Sequence, residues 1–151
     1  MYILMLTPNE IMYSLYFSLS AHCLDKGIEN VTKRQSMKNY WKMNVDSNNN
    51  DKYDTVCGTS TFWGYANDNT IGWISTVLIS SGRATLNFGN CYWKGQTKVF
   101  LNNKEIGTAD SNQLNVKIEF AYNVGDTLKI EEHNTGILRI NSIKTECTGT
   151  K

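Results

Sequence analysis

Proline occurs once in 151 residues, and neither charge sign dominates: 15 Lys and Arg stand against 14 Asp and Glu, a formal net charge of +1. A chain so balanced has no global field to gather nucleic acid or an anionic membrane, so neither is an expected partner. Imidazole chemistry is limited to His22 and His133. There is no Gly-rich phosphate loop, no GxSxG elbow, and no CxxC or His-paired cysteine cluster, so nucleotide phosphates, that serine-hydrolase arrangement and a zinc site lack support. No transmembrane helix is expected either. The one apolar stretch near the start, Ile11 to Leu19 in "IMYSLYFSLSAHC", is far shorter than the ~20 residues a spanning helix needs.

What the chain has instead is amide and hydroxyl side chains, 18 Asn and 15 Thr. Asn tolerates positive φ and closes turns, while Thr favours strands, so the pairing predicts many short strands joined by tight loops. From Cys57 onward apolar alternation is broken at short intervals by Gly, Asn and Asp. Strands are expected in "GWISTVLI", "ATLNF", "TKVFLN", "KEIG", "NVKIEFAY", "TLKIEEH" and "ILRINSIKT". In "VKIEFAY", Val116, Ile118, Phe120 and Tyr122 share one face, with Lys117 and Glu119 on the other. Strands with one buried and one solvated face are what an antiparallel sheet requires. Seven of them in about 90 residues predict an all-β, antiparallel two-sheet β-sandwich of jelly-roll type. Asn102-Asn103 sit where a hairpin needs left-handed residues, and the Gly of "NVGDT" and of "NTG" are expected to take positive φ.

Three regions follow. Residues 1–21 form a signal-like or irregular segment, in which Ser18-Leu19-Ser20 offers a small-residue cleavage site but no Lys or Arg precedes the apolar run. Residues 22–55 are a polar N-terminal region of the same domain, with 25–40 read as loop or short helix, and 56–151 are the sandwich. Cys23, Cys57, Cys91 and Cys147 are even in number and widely spaced, which fits disulfides in an oxidising compartment and a secreted or extracellular protein. Asn30-Val31-Thr32 is a glycosylation sequon. If a strand ends at Phe88 and Gly89-Asn90 turn a corner, Cys91 lies at the end of a sheet where the last strand's Cys147 can reach it. The expected pairing is therefore Cys91 with Cys147, leaving Cys23 with Cys57.

"GRATLNFGNCYWKGQTKVFLNNKEI" followed by "VGDTLKIEEHNTGILRINSIKTEC" resembles a recurrent extracellular β-sandwich module of secreted and cell-surface invertebrate proteins. It is also similar to galactose-binding-like jelly rolls, among them carbohydrate-binding modules. The elements that carry the resemblance are Phe88-Gly89-Asn90-Cys91, Val99-Phe100-Leu101-Asn102 and Gly125-Asp126-Thr127-Leu128, with Asn103 standing where the hairpin turn usually has Gly. These are scaffold features, so the resemblance implies fold and not ligand.

Three stretches are candidates for chemistry. Glu131 and Glu132 are adjacent, so on a strand they face opposite ways and form no catalytic pair. Asp46, Asn48 and Asn50 place oxygens at alternate positions, but Asp51 stands where an EF-hand needs Gly and Cys57 where it needs Glu. What remains is a looser structural calcium site on Asp46, Asp51 and Asp54, set against a solvated polar loop. In "TFWGYANDNTIGW", Trp63 and Tyr65 share a face of an extended segment, with Asn67 and Asp68 just beyond, and Trp93 can join them from "CYWKG". Flat rings beside amides and a carboxylate suit a sugar, whose C–H face stacks and whose hydroxyls pair. The competing reading is that these rings fill the core. The expected function is a secreted, non-catalytic binding module for carbohydrate, such as a cell-surface glycan. Its rivals are a structural or adhesive module binding another extracellular protein, and a hydrolase with an unrecognised site.

Overall fold

The computed structural model describes residues 26–29, 37–46, 57, 62–66 and 70–147. Among these residues a helical turn, α1 (Lys26–Glu29), is followed by nine strands: β1 (Lys42–Met43), β2 (Phe62–Gly64), β3 (Gly72–Val77), β4 (Gly82–Asn90), β5 (Gln96–Leu101), β6 (Lys104–Ala109), β7 (Val116–Tyr122), β8 (Thr127–His133) and β9 (Leu138–Cys147). They form two antiparallel sheets with strand orders β1-β3-β8-β5-β6 and β2-β9-β4-β7. The fold is thus a two-sheet sandwich of jelly-roll type. Each of the seven strands expected from alternation is present, while β1 and β2, two and three residues long, carry too little pattern to be seen in sequence.

Alternation sets which side chains meet between the sheets. Leu86 and Phe88 of β4, Ile140 and Ile143 of β9, and Leu128 and Ile130 of β8 are buried there, each with a polar neighbour turned outward. Ile28, Met37, Trp41 and Val45 join the same core. Glu29 also ties the N-terminal turn to β9, its carboxylate accepting from the backbone N–H of Thr145 at 2.7 Å and from the Thr145 hydroxyl.

The turns follow the side-chain chemistry in most places. Asn102 and Asn103 have φ of 50° and 69° and close the β5–β6 hairpin, and Gly125 has φ of 92°. At "NTG" the expectation is corrected: Asn134 and Thr135 take the left-handed conformation, at 58° and 60°. Gly136 is needed for space instead, because a Cβ there would lie 2.8 Å from Asn90 Oδ1.

The expected cysteine pairing is also corrected. Cys57 is bonded to Cys91, with Cα atoms 5.4 Å apart. Strand β4 does not stop at Phe88 but runs through Gly89 and Asn90, and β9 lies antiparallel to it with Cys147 opposite Gly82 and Leu138 opposite Asn90. Cys147 and Cys91 therefore stand at opposite ends of a nine-residue strand. At about 3.4 Å per residue that is roughly 30 Å, against the ~7 Å limit a disulfide allows. Cys147 is disulfide-bonded, and Cys23 lies outside the described residues.

Candidate functional site

The residues singled out from sequence divide by environment. Trp63 is fully buried. It is the outward side chain of β2, but with Cys57, Cys91 and Ile137 it forms a second, smaller core, against which Tyr65, Tyr92 and Leu114 pack. The Trp63 and Tyr65 rings stack nearly parallel, centroids 6.3 Å apart. Trp63 as a ligand contact is therefore corrected to a core residue: the disulfide and Ile137 cover the face that a flat period-two pattern would leave open. Tyr65 is half-buried, and its backbone exchanges two hydrogen bonds with Asp46, at 2.7 and 3.1 Å. Asn67, Asp68, Asp51 and Asp54 lie outside the described residues. Among the described residues no group of three or more His, Cys, Asp or Glu side chains is arranged to hold a metal ion.

Trp93 is different. Its indole is 58% exposed, on the loop Cys91–Gly95 between β4 and β5. The loop is held from beneath by Asn90, which is wholly buried. The Asn90 amide nitrogen donates to the carbonyls of Tyr92, Lys94 and Gly95 at 2.9, 3.2 and 3.1 Å, while its Oδ1 accepts from the Ile137 N–H at 3.0 Å. One amide carries two N–H bonds, so at least one is shared between two carbonyls. The Cys57–Cys91 disulfide and a bond from Cys91 N–H to the Ile137 carbonyl at 2.9 Å fasten the loop's other side. Gly89 lets the 110–115 segment press against β4, because a Cβ there would meet the Gln113 carbonyl oxygen at 2.5 Å. Gly-Asn-Cys in sequence is thus three separate devices: room for a neighbouring backbone, an organiser for the loop, and its covalent anchor.

The presented surface is aromatic and cationic. The Tyr92 ring lies tilted at 5.7 Å from Trp93, and Lys94 Nζ sits 4.5 Å above the indole. Exposed indole with an adjacent tyrosine can stack on an apolar or C–H face, and backbone held this firmly loses little freedom on doing so.

Two features were not foreseen from the sequence: the burial of Glu132, weighed there only for a catalytic pair with Glu131, and the setting of Arg139. Glu132 is 2% exposed and points between the sheets, with Gly72 beside it: a Cβ at Gly72 would lie 2.7 Å from Glu132 Cγ. One carboxyl oxygen accepts from Ala66 N–H at 2.8 Å. Glu132 Oε2 and the buried Thr97 Oγ1 have no partner among the described residues. Desolvation pushes the Glu132 pKa up to about 8, the single bond from Ala66 opposing it too weakly to keep the ordinary value. Its neighbour Glu131 faces outward beside Lys129 and His133, both at 2.9 Å. Burial raises the Glu131 pKa, but these two partners outweigh burial and hold it below the ordinary value. The adjacent pair therefore serves opposite surfaces of β8. The second overlooked site is Arg139, on the outer face of β9, whose Nε donates to Asn141 Oδ1. A lone Arg in a strand gives no signal of this in sequence.

No family model and no curated protein matches the chain. Among the solved structures similar to it are carbohydrate-binding modules. One is a family 35 module from an environmental isolate, 22% identical, covering 57% of this chain and 73% of that one with a TM-score of 0.40. Another is a point mutant of a family 29 module, 12% identical, covering 72% and 83% with a TM-score of 0.46. A further family 29 module is 12% identical and covers 56% and 67% with a TM-score of 0.42. The described residues contain no helix long and apolar enough to cross a membrane.

Proposed function

We propose that this chain is a secreted, non-catalytic carbohydrate-binding module whose ligand stacks on Trp93, with Tyr65, Asn67 and Asp68 as flanking contacts. One observation carries the reading: an indole 58% exposed on a loop whose carbonyls are gathered by a buried Asn and whose base is a disulfide. Folding alone gives no reason to hold a large apolar ring in water on so rigid a support, whereas recognition of a sugar face does. The disulfide supports the extracellular setting.

A glycan array screened with oxidised protein, with and without calcium, tests this. The expected result is reproducible binding that falls at least tenfold in Trp93→Ala while its melting curve stays within a degree or two of the wild type. Dependence on calcium would return Asp46, Asp51 and Asp54 to the site. Binding unchanged in Trp93→Ala would remove the stacking site. No binding by folded protein would favour the adhesive reading, for which there is one specific observation. Val77, Ile79 and Val124 are exposed near the β7–β8 turn, which bonds to Leu78 through Gly125 N–H and the Asp126 carbonyl, both at 2.8 Å.

A further inference from the structure

The outer face of the four-stranded sheet holds an arginine without an anion. Arg83, Lys98 and Lys129 stand within 3.9, 3.6 and 2.9 Å of Glu119, Glu105 and Glu131, respectively. Arg139 has no carboxylate neighbour among the described residues, although it is only half exposed. Desolvation alone lowers its pKa from the ordinary arginine value, as expected for a guanidinium that has lost water and gained no counter-charge.

The guanidinium is nonetheless held in place. Arg139 lies between Trp63 of β2 and Gly89 of β4 in register. Its Nε is used by Asn141, and the Asn141 amide nitrogen donates to Asn87 Oδ1, the Leu114 carbonyl and Asn115 Oδ1 at 2.8, 2.8 and 2.9 Å. A register shift next to Asn87 makes room for Asn141 on this face. With Nε fixed, the two Nη groups keep a planar pair of donors, the geometry that matches a carboxylate or sulfate with two parallel bonds. Lys117 is exposed on the same face opposite Asn87, two residues along β4 from the Gly89 that Arg139 faces; farther along, Lys144 and Glu119 both face Thr85, and Glu146 faces Arg83. Trp63, which Arg139 faces in register, belongs to the small core against which Tyr92, the neighbour of Trp93, packs.

We infer that Arg139, oriented by Asn141, binds an oxyanion carried on a sugar, so that the ligand class of this module is an acidic glycan bearing uronate carboxylates or sulfate esters. The inference rests on the carbohydrate reading above and narrows it.

The test is affinity electrophoresis in polygalacturonate, its carboxyl-reduced neutral counterpart, dextran sulfate and dextran, with polyglutamate as a non-sugar polyanion. Wild-type protein should bind an acidic polysaccharide at least tenfold more tightly than its neutral partner, and which of the two acidic polymers it retains assigns carboxylate or sulfate. Arg139→Gln should lose about tenfold or more of that binding, and Arg139→Lys should recover only part, because an ammonium lacks the planar fork. If Arg139→Gln fails to fold, Arg139→Lys and Lys117→Glu, at the exposed lysine opposite Asn87, carry the test, each expected to weaken the acidic ligand and leave a neutral one unchanged. Equal binding of acidic and neutral polymers, an unaffected folded Arg139→Gln, or polyglutamate bound as tightly as the sugars would overturn the inference while leaving Trp93 stacking intact. Absence of binding to every polymer here and every glycan on the array would instead bring down the carbohydrate reading itself.

Discussion

Between the sheets, Leu86, Phe88, Leu128, Ile130 and Ile140 are buried simply because each is the inward residue of an alternating strand. At the Cys91 end the packing depends on particular groups: a disulfide, one Asn amide spread over three carbonyls, and a glycine against which a neighbouring backbone rests. The centre can be refilled with other hydrophobes of matching volume at modest cost. The end has no such freedom, since an amide that gathers carbonyls has no apolar substitute. A surface that must keep its shape for a ligand is better supported by the second kind of packing, and Trp93 stands there.

The largest expected effects compare the two regions directly. Phe88→Ala in the centre and Trp63→Ala at the end should each cost about 3 to 5 kcal/mol in denaturant unfolding. A Trp63→Ala cost below about 1 kcal/mol would show that the end cluster is not a core in its own right. Next in size is the pH dependence set by Glu132. Its folded pKa, about 8, lies above the unfolded value of 4.5, so its contribution is fully present below 4.5 and is lost as the pH rises through 8. Wild-type stability should therefore fall by up to about 1.4 kcal/mol per pH unit across that window relative to Glu132→Gln, whose amide oxygen can still accept the Ala66 N–H. Parallel stability curves for the two proteins would mean that Glu132 titrates normally. The smallest global effect belongs to Asn90→Ala, at about 1 to 3 kcal/mol. Its local consequence should be greater: faster hydrogen exchange in Cys91–Gly95 with β5 and β8 unchanged. Uniform loss of protection across the sheets would erase the distinction between the regions.

The same contrast explains what could be seen in the sequence. Alternation placed β3 to β9 to within a few residues, because burial in the centre depends only on a period of two. It missed β1 and β2, which are too short to show a period. It left Trp63 between ligand contact and core, because periodicity says which side of a strand a ring occupies and not what later covers that side; the cover here includes a disulfide whose two cysteines are 34 residues apart. The Cys91–Cys147 expectation failed for a related reason. It took both cysteines as sheet-end residues without knowing that β9 runs antiparallel to β4 and so puts them at opposite ends. Arg139 gave no signal, and Glu132, weighed only as half of a catalytic pair, gave none of its burial, because what distinguishes each is a missing partner.

The strand order also bears on time. Apart from the β5–β6 hairpin, every connection in the series β1 to β9 passes from one sheet to the other. The last of the described strands, β9, lies between β2 and β4, so it joins two strands made much earlier in the chain. A ribosome making this domain would extrude eight strands before the ninth could join β2 to β4, leaving both strands with open edges meanwhile. Such a chain closes late and as a whole, with folding expected in milliseconds to seconds. Until then, the cysteines that will meet at the Trp93 loop are free to meet others.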